Sequence, residues 1–403
     1  MSSEKTSIEF RKTAREPVEL KFDCLPIRHQ QRRLIAREFL KPEVDLKAFK
    51  KRALIDYVVL GAILPAPTQW LHIKREIDSA LGVNCRVDLQ PENETEEATN
   101  TGKIFTVRLQ EPSIAQIIEC EAAILRARRL EIPLVVEKLE ISVDFYSTSS
   151  NPGDDRIRLL GALERCFWPG RDHLVSVRDW PRFSWGGSRE TRHVLPLGRA
   201  RRVNPNLLSV SERDRPPVGD ATFYVGSQSS RASWRMMEKL IDKQNLAAGT
   251  VKVLSDAEKR VRMEVTLGMS ELQKLDLATV EDFRRFRFED LRKPYFDFKL
   301  PTFQIPRTGS FAATKRWLER NRKLKFLKAG VIGLRMLDEV TAANRKSRRP
   351  DIIRALKQEG RKIRSLQRSG SGDELTFLAY EELNKAFEVA LASLSKREKR
   401  LLS

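Results

Sequence analysis

The chain has 403 residues, with 75 Lys and Arg against 55 Asp and Glu and a formal net charge of +20. That length allows about two or three domains with a sizeable core, and 40% hydrophobic with 32% charged residues describes a folded globular chain, not a disordered one. A pI near 9.9 points to a polyanionic partner, nucleic acid first and an anionic membrane surface second, and no run approaches the roughly 20 apolar residues of a membrane span.

The opening MSSEKTSIEFRK has no apolar signal core, so the expected location is cytoplasmic. Cys24, Cys85, Cys120 and Cys166 lack zinc-type spacing and read as reduced thiols, and His29, His72, His173 and His193 are scattered. A bound metal would therefore take oxygen ligands. Residues 1–50 are polar and basic and read as an N-terminal arm in which RHQQRRLIAREFLK forms a short helix.

Regular structure is then predicted in chain order. ALIDYVVLGAIL (53–64) reads as a buried strand and PTQWLHIKREIDSALG as a helix ending at Gly82. NCRVDLQ and KIFTVRLQ alternate as strands about the polar loop PENETEEATNTG. SIAQIIECEAAILRARRLE is an amphipathic helix capped by Ser113, and VVEKLEISVDFYS is a strand. Strand, helix, strand, strand, helix, strand is the split βαβ pattern of a ferredoxin-like α+β fold.

A second half begins with the helix DDRIRLLGALERCFWP and an Arg- and Trp-rich loop. ATFYVGS, the segment SWRMMEKLIDKQ (of undecided type), the strand KRVRMEVTL and the helix MSELQKLDL follow. Halves of about 51–150 and 151–309 thus suggest a duplicated core over 51–309, although no clear sequence repeat is visible. Residues 310–403 form a basic helical region. Between Ser310 and Gly370 there are eighteen Lys or Arg and five Asp or Glu; SGSGDE then breaks the run, and EELNKAFEVALASLSKREKRLL closes the chain as an amphipathic helix.

Two strands carry a second message. In LEISVDF, Leu139, Ile141, Val143 and Phe145 alternate with Glu140, Ser142 and Asp144; in KRVRMEVTL, Val261, Met263, Val265 and Leu267 alternate with Arg260, Arg262, Glu264 and Thr266. Period two puts the polar set of each on one face. If the strands are neighbours, Glu140, Asp144 and Glu264 converge, and Asp56, a lone acid in ALIDYVVL, is a weaker addition. Converging acids repel, which a divalent cation with all-oxygen ligation, Mg2+ or Mn2+, relieves. The competing reading is that the acids face water or pair with the many arginines.

At these residues the sequence resembles the replication initiation factors of rolling-circle plasmids and filamentous phages, whose superfamily includes relaxases of conjugative elements. LEISVDF resembles the family's hydrophobic-acid strand, ATFYVGSQSSRASWRMMEK its "YiGsrkS…yiRiYdK" segment, KRVRMEVTL its "wvRiEvel" strand and ATKRWLERN its "a.rWLerq" helix. The matches fall in the family's order between about Val136 and Asn321, and ALIDYVVL resembles the family's first strand. The resemblance implies a metal-dependent DNA nickase and strand transferase acting through a phosphotyrosine link at an origin. It implies Glu140, Asp144 and Glu264 as metal ligands and DNA, double- and single-stranded, as partner. A host helicase and polymerase are required beside it, since no GxxxxGK[ST] loop is present; a homodimer is compatible with it.

The chain departs from the family at Met237, where the pattern has tyrosine. A thioether forms no phosphotyrosine bond, so the nucleophile falls to Tyr224, with Tyr146 third, or the chain is a non-catalytic origin-binding protein of that descent. Tyr224 packing on the sheet is the competing reading. Arg235 and Lys239 are expected to clamp a phosphate, against salt bridges to Glu238 or Asp242. Arg316, Arg320, Lys323, Arg345, Lys346, Arg348 and Arg349 are expected as phosphate contacts, and Trp317 is expected to pack inward.

Overall fold

A computed structural model describes residues 6–10, 16–27, 36–82, 85–184, 191–195, 214, 218–245, 250–305, 312–358 and 377–402; within these, the side chains of 243–245, 250–251, 312, 314–315, 343–353 and 355–358 are not described. The fold is α+β. Its largest unit is a nine-stranded sheet of order β5-β6-β4-β7-β14-β11-β10-β8-β9. The first four are β4 (Phe49–Gln69), β5 (Arg86–Leu89), β6 (Thr101–Gln110) and β7 (Val135–Ser147), with helices α1 (Trp70–Leu81) and α3 (Ile114–Ala127) as crossovers. All three pairings are antiparallel, so this part has the predicted split βαβ order, with β4 between β6 and β7.

Local chemistry explains the element ends. Gly82 takes φ 63° and closes α1, a left-handed position that costs glycine little. Ser113 and Gln116 form a capping box at α3, and Glu398 from the last helix accepts from the Ile114 amide at 2.9 Å. The loop expected over PENETEEATNTG contains a short helix, α2 (Glu94–Thr99), because the Asn93 side chain accepts from the Glu96 amide.

Among the described residues, the second half shows a different strand order from the first. β10 (Thr222–Val225), β11 (Ala232–Lys239) and β14 (Arg260–Gly268) form an antiparallel meander that extends the same sheet from β7, followed by β8 (Arg182–Ser184) and β9 (Thr191–His193). The undecided segment SWRMMEKLIDKQ is strand: β11 and then β12 (Ile241–Asn245), which pairs with β13 (Thr250–Val253). Helix α5 (Met269–Lys274) follows β14 as expected, and a single turn, α6 (Arg292–Tyr295), comes later.

Among the described residues, the N-terminal region is largely strand and not a loose arm. β1 (Thr6–Phe10), β2 (Val18–Pro26) and β3 (Arg37–Pro42) join β15 (Lys299–Gln304) and β16 (Phe377–Ala379) in a second sheet. Alternation explains this: Val18, Leu20 and Phe22 are buried while Glu19 and Lys21 are not. Of the helix expected over RHQQRRLIAREFLK, residues 28–35 lie outside the described residues and Arg37 onward is strand.

Helix α4 (Pro152–Cys166) lies between the two sheets. Leu159, Leu160 and Leu163 belong to the main core, Ile157 to a second core with Phe10, Phe22 and Phe326, and Arg158 donates to the Glu19 carbonyl of β2. That placement explains why nearly every residue from Arg156 to Cys166 is buried. Helix α7 (Ala312–Gln358) breaks at Gly330, whose φ of 66° suits the close approach of its backbone to the Glu164 and Arg165 carbonyls, 3.0 Å from where a Cβ would stand. SGSGDE lies outside the described residues. The last helix, α8 (Glu381–Leu402), packs Phe387 on Phe145 of β7, ring centroids 5.2 Å apart.

Candidate functional site

β7 and β14 are neighbours, and their register sets Thr266 opposite Glu140, Glu264 opposite Ser142 and Arg262 opposite Asp144. Val261, Met263, Val265, Leu139, Ile141 and Val143 fill the core on the other face. β11 adds Arg235 opposite Glu264, Met237 opposite Arg262 and Lys239 opposite Arg260. β10 adds Tyr224 opposite Arg235. One sheet face therefore gathers acids, cations and phenols from five strands, β4 being the fifth.

β4 completes it through a bulge. Ile55 pairs with Ile141 and Tyr57 with Glu140, so Asp56 is the extra residue and joins Tyr57 on the polar face. Asp56, Glu140 and Glu264 each place a carboxylate oxygen within 4.8 Å of the others. The weaker addition of the sequence reading is thus a member of the triad. Asp144 is held apart: Arg262 grips it through Nε–Oδ1 and Nη2–Oδ2, both 2.6 Å, and Arg260 Nε lies 3.0 Å from Oδ2. For Asp144 the structure has the arginine pairing that stood as the competing reading.

Two guanidiniums hold the triad. Arg262 Nη1 lies 2.8 Å from Asp56 Oδ1 and 3.5 Å from Glu264 Oε1. Arg235 Nη2 donates to Glu140 Oε1 at 2.8 Å, and its Nε lies 2.6 Å from Glu264 Oε2. Thr266 Oγ1 donates to Glu140 Oε2. Burial, then the charge of Glu264, pushes Glu140 up to about 7 against the pull of Arg235 and Thr266. Glu264 is also raised, first by burial, with Arg235 opposing and Asp56 adding to the rise. Burial acts to lower the Arg235 pKa, but the Glu264 and Glu140 carboxylates outweigh it and hold it above the ordinary arginine value. Burial is thus the main cause of the raised carboxyls, and the two arginines offset it only in part.

The donor set fits a hard divalent cation: three carboxylates at ligating separation, with no soft donor among the three. A second observation points the same way. Ser142 Oγ, in the row between Glu140 and Asp144, is fully buried and has no hydrogen-bond partner. Glu264 Oε2 likewise makes no hydrogen bond, so its contact with Arg235 Nε is charge attraction without hydrogen-bond geometry.

The other expected residues fall as follows. Tyr224 is half-buried beneath Arg182, 5.3 Å from ring centroid to guanidinium carbon, and Arg182 is tied to the Gly226 carbonyl at 2.8 Å. Tyr146 donates to Asp144 Oδ2 at 3.3 Å and is raised by burial and then by Asp144. Lys239 is half-buried on the same face and is lowered, first by burial and then by Arg262 and Arg260. Glu238 pairs with Arg156 on the opposite face at 2.9 Å. Tyr57 and Arg108, stacked at 3.8 Å, were not foreseen. The signal was present: apolar alternation in ALIDYVVLGAIL changes phase between Ile55 and Val58, which is what a bulge does.

On the basic helix, Arg316 and Arg320 are exposed or nearly so, and Trp317 is 62% exposed, correcting its expected inward packing. Lys323 is committed to Glu38 at 2.6 Å. Arg345, Lys346, Arg348 and Arg349 lie on the helix, but their side chains fall outside the described residues. No helix among the described residues is long and apolar enough to cross a membrane.

No protein-family model matches the chain, and no curated protein matches it. Among solved structures, the rolling circle replication initiator protein from Geobacillus stearothermophilus aligns over 68% of this chain and 97% of that one, at 12% identity and a TM-score of 0.26. A likeness at that level carries no argument about fold or activity.

Proposed function

We propose that the protein is a replication initiator that binds origin DNA and nicks one strand through a tyrosine in a metal-dependent reaction. The observation that carries this reading is the convergence of Asp56, Glu140 and Glu264 within 4.8 Å on a sheet face that also presents Arg235, Lys239 and Tyr224, in a chain of net charge +20. A DNA binder gains nothing from gathered carboxylates, which repel phosphate. A divalent cation held by the triad, Mg2+ or Mn2+, would polarise the scissile phosphodiester. Arg235 and Lys239 hold the phosphate's charge beside Tyr224. The Tyr224 oxygen forms the new bond to phosphorus, the bond to the 3′ oxygen breaks, and the phenol's proton balances the 3′ hydroxyl released.

A second reading has its own support. Met237 stands where the family pattern has tyrosine, and Arg235 and Arg262 already bracket the acids, which suits a non-catalytic origin-binding protein. The test is incubation with supercoiled DNA carrying the origin of the replicon that encodes the chain, with and without Mn2+, followed by denaturing gels. A Mn2+-dependent nick with protein on the 5′ end supports the nickase, and peptide mapping names the tyrosine. Tight binding with no nick in any metal supports the binder.

A further inference from the structure

The two guanidiniums at the triad differ in how they are held. Arg262 is fixed: its side chain is 1% exposed, gripped at both ends of its fork by Asp144 and Asp56. Arg235 comes from the next strand, is 37% exposed, and touches Glu264 without hydrogen-bond geometry. Its one hydrogen bond to the triad is to Glu140, at 2.8 Å. A planar guanidinium that can be reached from solvent suits phosphate as well as it suits carboxylate.

We propose that Arg235 is the exchangeable counter-ion of the triad: a nucleic-acid phosphate draws it off Glu140 and Glu264, and the divalent cation takes its place. Four carboxylates, Asp56, Glu140, Asp144 and Glu264, are met by Arg235, Arg260 and Arg262, with Lys239 at the edge. Removing Arg235 leaves the triad acid-rich and frees an oxygen on each of Glu140 and Glu264, beside the unpartnered Ser142 hydroxyl. Phosphate and cation then bind with positive coupling, and without nucleic acid the arginine keeps the site closed to metal. This rests on the metal-dependent reading above and adds the order in which the site fills.

The experiment measures Mn2+ binding to the full chain by electron paramagnetic resonance of the free ion, with and without a short single-stranded oligonucleotide of mixed sequence. The expected result is Mn2+ affinity raised by about 5- to 150-fold when the oligonucleotide is present, the usual span of such couplings. In Arg235→Gln, affinity is already raised without oligonucleotide and the oligonucleotide adds little. Equal Mn2+ affinity with and without oligonucleotide in the wild-type chain overturns the exchange while leaving the metal site standing. Coupling that persists undiminished in Arg235→Gln also overturns it, because the ion then bridges protein and phosphate without the arginine's release. No Mn2+ binding in any arm overturns the metal reading and the exchange together. Where Arg235→Gln fails to fold, Arg235→Lys takes its place: the looser grip of an ammonium on Glu140 and Glu264 should raise Mn2+ affinity without oligonucleotide and shrink the coupling, and undiminished coupling overturns the exchange.

Discussion

The polar face of the nine-stranded sheet and the basic helix α7 both concentrate charge, but they use it differently. On the sheet, cross-strand register brings acids from β4, β7 and β14 into one cluster, and the arginines of β11 and β14 close over them. On α7, part of the positive run is taken up internally among the described side chains. Arg322 pairs with Glu319 and Asp338, Lys323 with Glu38, Arg335 with Glu339 and the Pro169 carbonyl, and buried Lys325 with Asp214. A run of like charge in sequence is therefore a weaker guide to a binding surface than a polar face set by strand alternation, because a helix that docks turns part of its charge inward.

The largest expected effect breaks the sheet side of this comparison. Arg262→Met leaves Asp144 buried without its bidentate partner and is expected to cost about 3–5 kcal/mol, read as a lowered midpoint in chemical denaturation. A wild-type midpoint would show that the cluster does not depend on its fixed arginine. On the helix side, Lys325→Met strands Asp214 and is expected to cost nearly as much at neutral pH. Burial already pushes Asp214 up to about 6, and it lowers Lys325, so desolvation outweighs their attraction. Without Lys325 the Asp214 carboxyl lies above its wild-type value of about 6, so the loss should shrink as pH falls towards about 6 and Asp214 takes a proton in the variant; a pH-independent loss would assign Lys325 a packing role instead.

A smaller effect tests buried charge where the two sheets meet. Burial pushes Glu164 up to about 8, opposed by Arg165, and neither of its carboxylate oxygens has a hydrogen-bond partner. A carboxyl raised in the folded state contributes stability that is fully present below its unfolded value and is lost as pH rises through about 8. Glu164→Gln should therefore flatten the fall in melting temperature between about pH 4.5 and 8 and leave the variant the more stable at the alkaline end. An unchanged pH profile would mean that Glu164 is not the group responsible.

The smallest effect concerns binding alone. Arg316→Ala with Arg320→Ala removes surface cations and should lower the slope of log K against log salt by roughly 0.9 for each duplex phosphate no longer neutralised, with the melting temperature unchanged. Arg322→Ala, by comparison, should lower stability more than it alters that slope. Equal behaviour of the two would erase the distinction between surface and structural charge on α7.

Much of the fold was legible from periodicity. The split βαβ order, the Ser113 cap and the polar faces of β7 and β14 follow from apolar spacing, because a half-buried strand has only two faces to choose between. The N-terminal sheet was hidden because β1 and β3 are short, the alternation of β2 covers only Val18 to Phe22, and the sheet finds its next strand at β15, far along the chain. The triad was legible in two of its three members. Asp56 was obscured by the bulge, and Asp144 shares the polar face without joining the triad, because two arginines claim it; a face is readable in sequence, but the partner of each side chain on it depends on register.

The most direct measurement compares the wild-type chain with Glu264→Gln on supercoiled origin DNA in Mn2+, scoring strand nicking and DNA affinity in parallel. The account predicts a nick with protein on the 5′ end from the wild-type chain, none from Glu264→Gln, and nearly equal DNA affinity for both. Nicking that survives in Glu264→Gln, or DNA binding that disappears together with nicking, would contradict the assignment of chemistry to the sheet face and binding to the basic helix.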